Sequence, residues 1–147
     1  MKKYFYFLLI VSVLFAECRT KIVTDYSVVI RPIGNSDFTR MTFYIALKKT
    51  NFSRKNPFID EILTDENSLR NVVSFVDDNR PAKNDSIAGW GALKISVYNR
   101  NHIIINYNLS NGDQSKNYLR SLIESLTNKN SDLKLIKDLK EGLSEIN

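Results

Sequence analysis

The side chains in this chain that could support catalysis or bind a metal are few and scattered. His102 is the only histidine and Cys18 the only cysteine in 147 residues. A usual zinc set needs several Cys or His ligands, and no second residue of either type exists to complete one. The sequence also lacks a phosphate-binding loop, a dinucleotide-binding turn and a Ser-His-acid order. It therefore predicts no catalytic residue, no metal and no cofactor, and we expect His102 to be an exposed turn residue.

Two pairs of adjacent acids, Asp60-Glu61 and Asp77-Asp78, remain as candidates for acid–base chemistry. Neighbouring residues on a helix point in different directions, so such a pair does not converge on one ligand. We interpret both pairs as solvated or helix-terminal acids. The enzymatic alternative is a small envelope hydrolase that uses the second pair or Asp85 near Trp90.

Trp90 is the only tryptophan, and glycines flank it on both sides. Glycines let a ligand approach closely, so Trp90 could lie against a sugar ring, a peptide or a lipid interface. The alternative is a tryptophan packed over the sheet edge. Tyr44 and Tyr98 are predicted to point away from the core on a face that binds a partner or is simply solvated.

A basic segment, residues 48–55, contains no acid and carries Lys48, Lys49, Arg54 and Lys55. Such a segment could contact an anionic membrane or wall polymer. Its alternative interpretation is a solvated loop.

The N-terminus has the pattern of a secretory signal. Lys2 and Lys3 precede a run that carries no charge from Tyr4 to Ala16, and this run is too short for a membrane span of about 20 residues. We predict a cleaved signal peptide over residues 1–18. Lipidation of Cys18 is the alternative, although Glu17 occupies the place where a lipidation signal needs a small residue.

Residues 19–147 are predicted to form a single domain. Loss of the signal changes 21 basic and 16 acidic residues to 19 and 15, a net charge of +4. This mild excess is weaker than that of a dedicated nucleic-acid binder, so no nucleic-acid partner is expected. One cysteine permits no internal disulfide, so the fold depends on its core.

Periodicity predicts two hairpins interleaved with helices. Residues 21–30 and 38–49 read as the first pair of strands, and residues 93–109 as the second pair, with Ile103, Ile105, Tyr107 and Leu109 on the core face. Residues 57–77 are predicted to be one kinked helix or two short ones, with Thr64 as a fresh N-cap.

Two amphipathic helices end the chain. Their apolar stripes include Tyr118 and Leu122 in the first helix and Leu135 and Leu139 in the second, with Ser131 as the predicted N-cap. Gly142 is expected to weaken the last helix. The predicted fold is thus α+β, in ββα-ββαα order, with a four-stranded, mainly antiparallel sheet and helices on one face.

These features favour an exported, non-enzymatic binding or accessory protein of the bacterial cell envelope. It would be periplasmic or secreted, or held at a membrane through Cys18. Its expected partner is an envelope protein or an anionic surface component.

Overall fold

The computed structural model describes residues 26–32, 42–47, 60–81, 93–100, 102–109 and 112–144. They form five strands and three helices in the order βββαββαα. The strands are β1 (Tyr26–Pro32), β2 (Phe43–Leu47), β3 (Asp60–Thr64), β4 (Leu93–Asn99) and β5 (His102–Leu109). The helices are α1 (Glu66–Asp78), α2 (Gly112–Asn128) and α3 (Leu133–Ser144). The α+β class is therefore confirmed.

The strands form one mixed sheet in the order β3-β2-β1-β4-β5. β1 pairs antiparallel with both β2 and β4, and β4 pairs antiparallel with β5. β3 adds to the outer side of β2 in parallel. The two predicted hairpins are thus present, and β1 and β4 join them into one sheet.

The prediction of four strands is wrong because residues 60–64 form β3 and not the first part of a helix. This segment carries two apolar residues, Ile62 and Leu63, which fit either a helical stripe or a short strand. The apolar residues that follow it continue a helical stripe and so favour a helix. Parallel pairing of Ile62 with Ile45 of β2 decides for the strand, and a contact of this kind between distant residues leaves no local signature.

All three helices pack on one face of the sheet. The main core joins apolar side chains of every strand and every helix. Its fully buried members include Ile30 and Ile95 in the sheet, Leu69 in α1, Leu122 in α2 and Leu139 in α3. This two-layer arrangement buries one stripe of each helix against one face of the sheet.

A β-bulge interrupts the pairing of β4 with β5. Val97 pairs with Ile105 and Tyr98 with Ile103, so Ile104 is the extra residue on β5. Because Ile104 is an extra residue, the alternation of side chains along β5 shifts by one position, and Ile103 falls on the face of the sheet opposite to the one that regular alternation predicts. Ile103 therefore shares a face with Tyr98 and is exposed, and the prediction that it lies on the core face is wrong.

The N-caps of α1 and α3 each lie one residue beyond the predicted position. Asp65, not Thr64, caps α1, because its carboxylate accepts hydrogen bonds from the backbone N–H and the hydroxyl of Ser68 at 2.9 and 2.6 Å. Asp132, not Ser131, caps α3 and accepts the N–H of Lys134 at 2.8 Å. Carboxylates at these positions satisfy the unpaired amides of the first turn.

Candidate functional site

Five strands begin or finish at one end of the sheet. β2, β3 and β4 all run opposite to β1, so they finish where β1 begins, and Tyr26 of β1 pairs there with Asn99 of β4. β5 starts at the same end, since His102 pairs with Asn99. Arg100, in the connecting turn, has a φ of 54°, the left-handed conformation that a tight hairpin turn requires.

The start of α3 is held at this same end by a polar cluster. α1 begins directly after Thr64, the last residue of β3. The hydroxyl of Ser68 in its first turn accepts the backbone N–H of Asp132 at 2.7 Å, and the amide of Asn71 donates to the hydroxyl of Ser131 at 2.9 Å. Leu133, the first residue of α3, therefore lies at the end where β1 begins.

Three large apolar side chains at this end are exposed to solvent. Ile103 is 52% exposed, Ile104 45% and Leu133 82%, and they are the large hydrophobic residues that are exposed among those the structure describes. Ile104 points outward, as the alternation of β5 predicts, and the bulge places Ile103 outside the core as well. The first position of α3 turns Leu133 away from the core. We call this end of the molecule the apolar end: Ile103 and Ile104 lie on the edge strand β5, whereas Leu133 lies on α3, which packs near the opposite edge strand β3.

The apolar end was not predicted from the sequence. A regular alternation of side chains assigns Ile103 to the core. Leu133 lies outside the predicted apolar stripe of the last helix. The alternation of β5 does predict that Ile104 points away from the core, which is confirmed, and only the position of the bulge shows that Ile103 also faces solvent.

The face of the sheet opposite the helices is less open than expected. Tyr44 does point away from the helices, and it packs with Val29 and Ala46 in a second apolar cluster. It is only 1% exposed, however, so the expected open surface is absent at this residue. Tyr98 packs against the same cluster and is half-buried. Of the two predicted binding tyrosines, only Tyr98 offers accessible surface, next to Ile103.

A buried pair of tyrosines joins the sheet to two helices. The hydroxyls of Tyr107 in β5 and Tyr118 in α2 are 2.5 Å apart, and the hydroxyl of Tyr107 also donates to the carbonyl of Val76 in α1 at 3.3 Å. The ring of Tyr118 meets Phe75 edge-to-face, with centroids 5.3 Å apart. Burial raises the pKa of Tyr107 to about 12 and that of Tyr118 further. Both hydroxyls therefore stay protonated at neutral pH, as a structural bridge requires.

The environment of Asp65, the N-cap of α1, lowers the pKa of its carboxyl group. Partial burial of Asp65 opposes its ionisation, but hydrogen bonds from the side chain and backbone of Ser68 outweigh this effect and hold the pKa of Asp65 below its usual range. The hydroxyl of Ser68 is engaged by two partners, Asp65 and Asp132. This geometry describes a helix cap that ties α1 to α3, not an activated nucleophile.

The acids considered for catalysis interact with different partners. Asp77 is exposed and forms an ion pair with Arg80, whereas Asp78 accepts the hydroxyl of Ser74 at 3.2 Å. Asp85, the third acid, lies outside the described residues. His102 is exposed, as expected. No group of three or more potential metal ligands gathers within the described part of the chain.

A shallow groove of about 370 Å³ lies between α2 and α3. Ile123 and Leu143 supply its apolar lining, and Arg120, Glu124 and Lys140 are the charged residues around it. Since both signs of charge are present, the groove does not select strongly for an anion. It is a weaker candidate than the apolar end.

Several predicted sites lie outside the described residues. They are Cys18, Lys48, Lys49, Arg54, Lys55 and Trp90. Their roles remain predictions. Of the helices that the described ranges contain, none has the length and apolar character to span a bilayer.

Comparison of the chain with protein-family models, with curated proteins and with solved structures finds no match in any of the three.

Proposed function

We propose that the protein is an exported, non-enzymatic binding protein of the bacterial cell envelope, which contacts an envelope protein or an anionic surface component. The observation that supports this most is the apolar end. The exposed parts of these side chains add nothing to the core, and their burial against a partner is favourable by about 25 cal/mol for each Å² of apolar surface. Three of them at one end of a small domain favour a contact surface there.

Side chains that could support catalysis are bonded to neighbouring residues, and this favours a role in binding over one in catalysis. Asp77 and Asp78 each have a different local partner, Arg80 and Ser74. Ser68, whose hydroxyl donates to the carboxylate of Asp65, is buried in a helix cap. A site for acid–base chemistry needs ionisable groups that converge on one substrate atom.

Export is supported by the N-terminal sequence. Lysines followed by a short apolar run are typical of secretory signals, and the run ends shortly before Cys18. Mass spectrometry of the protein recovered from cells tests this part directly. We expect an N-terminus near Arg19, or an acylated Cys18, and recovery of intact Met1 from the cytosol would contradict export.

Binding is tested with the exported protein, which carries the N-terminus found by mass spectrometry, and native envelope preparations. We expect the protein to co-sediment with envelopes, and the double substitution Ile103→Ser/Ile104→Ser to reduce this severalfold. Both positions are exposed, so the variant should keep its unfolding temperature.

The matched control is Lys137→Ser/Glu141→Ser, two exposed residues of α3 whose joint removal leaves the net charge unchanged. It should bind like the unmodified protein. Equal binding by the isoleucine variant, or no binding by any form, would contradict the proposed function. Protease treatment of the envelopes beforehand separates a protein partner from another surface component.

A further inference from the structure

The face of the sheet opposite the helices, here called the second face, is buried at its centre. Tyr44 and Ala46 of β2 are at most 1% exposed, and Val29 beside them in β1 is 8% exposed; we call these three residues the second-face cluster. Ser27 and Ser96, which alternation places on the same face, are also buried. The described helices all pack on the other face. A sheet face left to water exposes its side chains, so this burial requires cover from another part of the chain.

The connection from β2 to β3 has to run the length of these strands. The two strands are parallel, so the last residue of β2, Leu47, lies beside the last residue of β3, Thr64. Residues 48–59 therefore leave β2 at the apolar end and reach the start of β3 at the opposite end, a return of about 13 Å. A segment of this length can span about 40 Å when extended, which is ample for the crossing.

The connections 33–41 and 82–92 need no such crossing. The first joins the end of β1 to the start of β2, and both points lie at the end of the sheet opposite the apolar end. The second leads from the end of α1, which Val76 ties to Tyr107 in the later part of β5, to the start of β4 at that same end. Residues 48–59 are thus the internal connection that must pass over the sheet.

The helix face above β2 and β3 is already occupied. α3 lies directly over β2, since Gly142 contacts the ring of Phe43, and α3 also packs against β3. α1 packs against β1 and β2 on the same side. Interiors of proteins are close-packed, so a connection between these two strands has to cross on the second face.

The handedness of strand connections selects the same face. β2 to β3 and β3 to β4 are both connections between parallel strands, but they run in opposite directions across the sheet. Connections of this kind are right-handed in about 98% of cases. Two right-handed connections that run in opposite directions lie on opposite faces. Because α1 places the connection from β3 to β4 on the helix face, the rule assigns residues 48–59 to the second face.

We propose that residues 48–59 cross the second face of the sheet, with the rings of Phe52 and Phe58 packed against the second-face cluster. These are the aromatic residues of the segment, and burial of an aromatic ring on an apolar surface is strongly favourable. The inference concerns the fold and stands whether or not the protein is exported. A partner that approached this face would meet residues 48–59, with their four cations, and not Tyr44.

Nuclear magnetic resonance tests this contact without any substitution. In isotope-labelled protein, in the form recovered from cells, the methyl groups of Val29 and Ala46 should show nuclear Overhauser effects to the ring protons of Phe52 and Phe58. The methyl groups of Ile30, on the helix face of β1, are the control and should show none to these rings. Effects from Val29 and Ala46 to another segment of the chain in place of these rings, or to none, would overturn the inference.

Chemical modification of Tyr44 provides a second test. The double substitution Phe52→Ala/Phe58→Ala removes the proposed cover and should raise the nitration of Tyr44 by tetranitromethane severalfold, as measured by mass spectrometry of the peptide that contains it. In the unmodified protein Tyr44 should react slowly, because it is buried.

The matched control is Arg54→Ala/Lys55→Ala, which changes the same segment and keeps both rings. Its Tyr44 should react as slowly as in the unmodified protein. Tyr118, buried in the main core, should stay unreactive in both variants if the fold persists. Equal nitration of Tyr44 in all three proteins would contradict the inference. Should Tyr118 also become reactive, that variant has unfolded, and the nuclear Overhauser effects in the unmodified protein decide.

Discussion

Gly142 of α3 lies directly against the ring of Phe43 in β2. A Cβ atom at position 142 would clash with Cζ of Phe43 and come within 2.8 Å of its Cε1. Glycine costs about 1 kcal/mol relative to alanine inside a helix, yet here it permits the close packing of α3 on the sheet. Gly142 is therefore a packing residue, and the weakening of the helix is the lesser of its two effects.

Gly142→Ala should consequently destabilise the protein. We expect a net loss of up to about 2 kcal/mol in the free energy of unfolding, because overpacking of a core usually costs about 1–3 kcal/mol and the gain in helix propensity returns about 1 kcal/mol. Urea unfolding measures this change. In a Phe43→Leu background, where the ring is absent, the same substitution should be neutral or stabilising. A higher unfolding temperature for Gly142→Ala alone would contradict the packing argument.

The bridge formed by the hydroxyls of Tyr107 and Tyr118 predicts that the two Tyr→Phe substitutions lower stability by different amounts. Tyr107→Phe leaves the hydroxyl of Tyr118 buried without its partner, and should cost about 1–3 kcal/mol. Tyr118→Phe should cost less, because Tyr107 keeps the carbonyl of Val76. The double variant should be no less stable than Tyr107→Phe, since it removes both hydroxyls together. Strictly additive losses in chemical denaturation would count against the bridge.

Alkaline pH should weaken the fold through the same pair. The pKa of Tyr107 is raised from 10.0 to about 12 on folding, so its contribution to stability is complete below pH 10 and is lost as the pH rises through about 12. Absorbance of tyrosinate and far-ultraviolet circular dichroism should therefore change together in this window. Ionisation of all tyrosines near pH 10 with no loss of structure would exclude the burial described.

Acid pH should weaken the cap of α1. The folded pKa of Asp65 is lowered, so its contribution is present above the unfolded value of about 3.9 and is lost as the pH falls through the folded value. Asp65→Ala should cost about 1 kcal/mol at neutral pH. Asp65→Asn should keep part of the cap while it removes this component of the acid dependence. Glu141→Gln, at an exposed helical site, serves as the control and should leave the acid profile unchanged.

The end of α2 predicts a stabilising substitution. Asn130 has a φ of 49°, and the N–H groups of Asn130 and Ser131 bond to the carbonyls of Thr127 and Leu126 at 3.1 and 3.0 Å. This is a Schellman cap with Asn130 at the left-handed position. Asn130→Gly should raise the free energy of unfolding by a few tenths of a kcal/mol, and Asn130→Ala should lower it by about 1 kcal/mol. Thermal unfolding of the pair gives the comparison, and the reverse ranking would refute the assignment.

Local pattern accounts for most of the architecture. The alternation in β4 and most of β5 and the apolar stripes of α2 and α3 each depend on one segment alone, so periodicity was sufficient to place them. The α+β class and the packing of helices on one sheet face follow from the same amphipathic patterns. The apolar N-terminal run after two lysines is likewise a property of local sequence, and the prediction of export depends on it.

Contacts between distant residues decided the rest. Residues 60–64 become a strand because β2 offers a partner, and Gly142 is needed because Phe43 lies beneath it. The bulge at Ile104 reverses the side of Ile103, while the docking of α3 beside α1 brings Leu133 to the same end. Short segments are compatible with more than one conformation, and burial against a partner far away in sequence selects among them. The apolar end exists only once that selection has been made.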